Sequence, residues 1–87
     1  MQNISDANNI REYVYQTYIL PAKKNGLSEV SVLARIVHEE MGFKKQNYPN
    51  IIRALVREKM KIRYGLKTIR REPPADGPNV QITFIIK

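Results

Sequence analysis

With 87 residues the chain has room for one domain around one modest core. Its 43% apolar content excludes wholesale disorder, and a chain without Cys is no disulfide-framed secreted fold, which points to a cytoplasmic protein. The N-terminal MQNISDANNI lacks the basic-then-apolar pattern of a signal peptide, and no apolar run approaches the ~20 residues of a membrane span.

A first helix is expected over about residues 6–20, capped by Ser5 or Asp6, with Ile10, Tyr13, Val14, Thr17 and Tyr18 along its inner stripe. Tyr15 and Ile19 fall away from that stripe. They form a second apolar patch, either covered by neighbouring segments or used as a homodimer or partner surface. PAKKNG reads as the run-out of this helix, with Gly26 suited to a left-handed cap. In EVSV, Val30 and Val32 mark a very short strand. A second helix over 33–41 turns Leu33, Ile36, Val37 and Met41 inward and closes at Gly42.

The stretch NYPNIIRALVREKMKIRYG reads as a single third helix over 47–64. Asn47 is a good N-cap, Pro49 fits the first turn, and Ile51, Ile52, Leu55 and Val56 recur at helical spacing. After Gly65 the period changes to two. LKTIRRE and NVQITFIIK flank the turn-rich PPADGP, which predicts a β-hairpin over about 66–86. Val80, Ile82, Phe84 and Ile86 share one face of its second strand.

Charge divides the chain. Residues 1–43 carry Arg11, Lys23, Lys24 and Arg35 against Asp6, Glu12, Glu29, Glu39 and Glu40, a net of −1. Residues 44–87 carry eleven Lys and Arg against Glu58, Glu72 and Asp76, a net of +8. A surface tuned only for solubility mixes its signs, so this asymmetry favours a polyanion-binding face.

Helix, short strand, two helices and a hairpin resemble a winged helix: a helix-turn-helix whose third helix is followed by a β-hairpin wing. PAKKNG, VHEEMG, YPNIIRAL and EPPADGPNVQITF are similar to segments of short stand-alone prokaryotic winged-helix-like proteins. Arg35 and Ile36 depart from the Gly-Asp often found before the His in that group, and Ile52 stands where Cys is expected. The resemblance implies an α+β fold of three helices, a short strand and a C-terminal wing. It also implies double-stranded DNA as the usual partner, with RNA or protein as alternatives.

Catalysis finds little material. His38 is the lone histidine, and with no Cys no zinc set can be assembled, so neither metal nor cofactor is expected. Adjacent Glu39 and Glu40 diverge by ~100° on a helix and cannot flank one bond. Nucleic-acid binding is better supplied. Gln46, Asn47, Asn50 and Arg53 lie at the N-terminal end of the third helix, where such helices reach base edges; Asn and Gln suit adenine, Arg suits guanine. Arg57 and Lys61 continue that stripe toward phosphates. Tyr48 either staples the helix start or touches a base.

In the wing, Lys67 and Arg71 share a face with Ile69, and Arg70 shares the other with Thr68. Asp76 at the tip repels phosphate. The expected function is therefore double-stranded DNA binding, as in a transcriptional regulator. A protein-interaction module working through Tyr15 and Ile19 is the alternative, and RNA binding comes third because the aromatic residues lie mainly on the first helix and not on a strand surface where bases would stack.

Overall fold

The computed structural model describes residues 3–43, 48–72 and 77–87. The elements in order are α1 (Asn3–Val14), a π-helical segment (Tyr15–Ile19), α2 (Leu20–Lys24), β1 (Glu29–Leu33), α3 (Ala34–Met41), α4 (Tyr48–Val56), α5 (Glu58–Tyr64), β2 (Thr68–Glu72) and β3 (Gln81–Ile85). The fold is α+β. Its helices cover one face of a three-stranded antiparallel sheet of order β1-β3-β2. No helix is long and apolar enough to cross a membrane, among the described residues.

The first helical rod differs from the expected 6–20 helix. It starts at Asn3, so Ser5 and Asp6 lie within it, and it runs on to Lys24 with Pro21 in the first turn of α2. Its middle is a π turn, in which Leu20 N–H donates to Tyr15 O, five residues back. The cause is register. Ile19 follows Val14 by five residues, which on an α-helix puts it ~140° away from the core stripe. A π turn closes i to i+5, so the extra residue is absorbed and Ile19 returns beneath Val14. Ile19 and Val14 are both fully buried. Thr17, expected inside, is rotated out and exposed.

The third helix also departs from expectation. It breaks at Arg57, whose backbone is extended (φ −75°, ψ 155°), so 47–64 is two helices, not one. Met60 follows Leu55 by five residues and Tyr64 by nine, which in one straight helix would leave them ~140° and ~180° round from Leu55. The break re-aims both, and they are 0% and 8% exposed. A continuous helix would close the Ala54 carbonyl with the Glu58 amide. Here Arg11 Nη1 donates to Ala54 O instead (3.2 Å), while Arg11 Nη2 donates to Asn8 Oδ1 (2.8 Å). A buried guanidinium thus caps the C-terminus of α4, where the helix dipole favours a cation.

α3 starts one residue later than expected, with Leu33 as its extended N-cap. No side chain caps it. Its first amides, Ala34 and Arg35, donate to Val80 O (2.9 Å) and Pro78 O (3.0 Å), so the hairpin closes the helix start. Gly42 ends α3 at φ +74°, a conformation that a Cβ would strain. In the sheet, β3 is central: Val32 pairs with Ile82 on one side and Arg71 with Ile82 on the other. Ile82, Phe84 and Val80 pack beneath Ile10, Val14, Ile51, Ile52 and Leu55. On the outer face Thr83 is buried and shares a 2.8 Å hydrogen bond with Ser31.

Candidate nucleic-acid interface

α4 is amphipathic with little ambiguity. Ile51, Ile52, Ala54 and Leu55 are buried, and the face that remains presents Pro49, Asn50 and Arg53 to solvent. Tyr48 at its start is half-buried against the core, with its ring 4.9 Å from that of His38 on α3, so it closes the α3–α4 junction. Gln46 and Asn47, expected to join the base-reading end, lie outside the described residues, as does Asp76, expected at the hairpin tip.

The expected stripe of Asn50, Arg53, Arg57 and Lys61 does not exist as one line, because the break at Arg57 turns α5 away from α4. Arg57 is exposed at the break itself. Lys61 is half-buried on α5, with Nζ 3.4 Å from Glu58 Oε2. In the hairpin, Arg70 and Arg71 are exposed near the loop end of β2. Lys67 stands before β2, at the other end of the strand, where its backbone N–H donates to Ile85 O at 2.8 Å. It therefore does not group with the two arginines. Between residues 48 and 72, Arg53, Arg57, Lys59, Arg63, Lys67, Arg70 and Arg71 are exposed, against the exposed carboxylates Glu58 and Glu72.

Two polar clusters tie the first rod to the rest, and sequence reasoning found neither. The phenols of Tyr13 and Tyr18 both donate to Glu40 Oε1 (2.7 and 2.5 Å), pinning α1 and the π segment to the end of α3. Those bonds, Tyr18 first, hold the Glu40 carboxyl below its ordinary value, while burial and then Glu40 push the Tyr18 phenol up. On the other side, Tyr15 stacks on Tyr64 (centroids 4.3 Å, 20°). Lys23 lies over the Tyr15 ring at 5.4 Å and Arg63 over the Tyr64 ring at 5.5 Å. Tyr64 also donates to Glu12 (2.9 Å).

That column removes the expected interaction patch. Ile19 is core and Tyr15 is half-buried against Tyr64, so the two do not form an exposed apolar surface. Among the described residues, the large apolar side chains that are exposed are Ile62 on α5 (73%) and Leu27 (49%).

Arg11 was also missed as a structural group. It lies beside the inner stripe, one residue after Ile10, which is the only signal the sequence holds. Burial lowers its pKa, and nearby Arg57 and Arg63 act in the same direction against the Tyr64 contribution. No group of three or more His, Cys, Asp or Glu able to hold a metal occurs among the described residues. A shallow cavity of about 330 Å³ between Tyr18, β1 and Ile36 is lined by Ser31, Val32, Leu33 and Gln81 and gathers no titratable pair. Comparison with family models, with curated proteins and with solved structures finds nothing that matches the chain.

Proposed function

We propose that the chain is a winged-helix module that binds double-stranded DNA, with α4 as its reading helix and the β2–β3 hairpin as its wing. One observation carries this reading. α4 and the loop end of β2 expose Asn50, Arg53, Arg70 and Arg71, and the residues of the C-terminal half supply all of the excess positive charge. These are side chains suited to groove edges and phosphates. The element order and the seat of the hairpin on α3 support the fold assignment. In this reading Asn50 and Arg53 meet base edges, Arg57 and Arg71 hold phosphates, Arg70 on the other face of β2 stays in solvent, and Lys61, matched to Glu58, contributes little. No catalytic step is involved.

Fluorescence anisotropy with random and selected duplexes, over a range of salt, tests the reading. Affinity falls steeply as salt rises. Arg53→Ala costs ~1–3 kcal/mol on a selected site and relaxes preference at one position, whereas Arg71→Ala weakens all sequences alike and lowers the salt slope by about one unit. Folded protein that shows no binding at low salt and micromolar concentration ends the DNA reading. The exposed Ile62 would then become the place to look for a protein partner, through loss of that partner in Ile62→Glu.

A further inference from the structure

Four lysines from three separate stretches of chain belong to the end of the sheet away from the hairpin loop. Lys23 and Lys24 close α2, Lys67 precedes β2, and Lys87 follows β3. Lys23 Nζ donates to Tyr64 O at 2.7 Å and stands 3.9 Å from where a Cβ on Gly65 would lie, two residues before Lys67. Lys87 Nζ donates to Gly26 O at 3.2 Å, two residues after Lys24, and the Ile86 and Lys87 amides both reach Ser28 O. The fold thus carries two of the four cations of the acidic first half over to the basic second half.

None of the four lysines forms an ion pair among the described residues, whereas Arg35 and Lys61 are matched to Glu39 and Glu58. Glu29, opposite Ile85 in register, lies at the same end of the sheet. The cap on α5 accounts for Lys23. Lys24 and Lys67 are exposed and have no such structural task. Four cations stand against the carboxylate side chain of Glu29, so the group keeps a net positive charge.

The chemistry also differs from that of α4 and the loop end of the hairpin. There the side chains are Asn and Arg, flat groups that can bond in pairs. Here they are all ammonium groups, point charges on flexible stems that hold phosphate without reading bases. Lys67 and Arg71 are separated by roughly 13 Å of strand, so the two sets occupy opposite ends of the hairpin.

We propose that this lysine end is a second, sequence-indifferent seat for duplex DNA, so that one chain joins two duplexes. The proposal rests on the DNA-binding reading for its first seat and is tested separately for its own. The full chain is added to beads carrying a random duplex, and retention of a second, fluorescent duplex is measured. Single-duplex binding is followed in parallel by anisotropy, and the variant Lys24→Glu/Lys67→Glu is checked for folding by circular dichroism. Wild type retains the second duplex. The variant loses that retention by at least about tenfold while its single-duplex affinity stays within about threefold, because the arginine seat is untouched.

Equal retention by variant and wild type overturns the proposal and assigns the joining to self-association of the protein. Single-duplex binding without any retention by wild type overturns it while leaving the DNA reading intact, and no duplex binding at all overturns both. If the variant keeps retention but loses binding to phosphatidylserine vesicles, the seat belongs to an anionic lipid surface and the DNA assignment fails.

Discussion

Two helical stretches of this molecule meet the same mismatch and resolve it differently. In the first rod Ile19 follows Val14 by five residues; in the third helix Met60 follows Leu55 by five. All four side chains are fully buried. A regular α-helix cannot bury both members of such a pair on one face. The first rod widens by a π turn and stays continuous, so its direction and its hydrogen-bond ladder persist. The third helix breaks, so its ladder stops, and the stopped end takes a donor from Arg11. A widened turn keeps one face of the rod aimed at the core. A break gives the chain a second direction, which α4–α5 needs because Tyr64, four residues beyond Met60, must also go inside.

The difference can be attacked from either side, and the largest effect falls on the core residue that the π turn brings in. Ile19→Ala should cost ~2–5 kcal/mol, as deletion of a buried isoleucine side chain does, while Ile62→Ala should stay within about 0.5 kcal/mol. Urea unfolding of the two variants decides it. Similar costs would mean that Ile19 is a surface residue and the rod a plain α-helix.

Proline distinguishes a widened helix from a broken one. Thr17→Pro removes a bond inside a continuous ladder and should cost ~3 kcal/mol or more. Glu58→Pro places proline at the first position of α5, where the amide is unpaired, and favours the extended conformation that Arg57 already has. Its effect should stay within about 1 kcal/mol, the loss of the partly exposed Lys61–Glu58 pair included. An unfolded Glu58→Pro protein would show that α4 and α5 are one helix.

The smallest expected effect concerns what holds the widened rod in place. Tyr13→Phe/Tyr18→Phe should cost about 1 kcal/mol at neutral pH, since the acceptor is charged but exposed. The sign with pH follows from Glu40. Its carboxyl is depressed in the folded protein, so its contribution is present above the ordinary carboxylate value of 4.5 and is lost as pH falls through the lower folded value. Thermal unfolding at pH 7 and in acid should therefore separate wild type from the double variant at pH 7 and bring the two together in acid. A gap that persists in acid would mean that the phenols act by packing and not through Glu40.

Elements bounded by local signals were legible in the sequence. Gly42 ended α3 where a left-handed residue was required, the alternation of β3 gave its buried face, and the spacing of Ile51, Ile52 and Leu55 left Asn50 and Arg53 outside. The π turn and the break were not legible, because neither Tyr15–Ile19 nor Arg57 contains Gly or Pro. Both arise from what the sheet and α1 require of side chains five residues apart, a demand that exists only once the layers are assembled. The misplacement of Arg57 and Lys61 follows directly: their stripe presumed a straight helix. Tyr15 was misread for the related reason that its partner, Tyr64, lies 49 residues away.

The strand that joins the sheet together is also the last of the three to be synthesised. β1 and β2 do not pair with each other; each is bonded to β3, and Glu29 meets its partner only at Ile85. On a translating ribosome, β1 and β2 therefore wait as unpaired edges, with the helices above them lacking a floor, until residues 81–85 emerge. Closing β1 onto β3 then spans about fifty residues in one step, and the order of events in this chain's folding is set by its final strand.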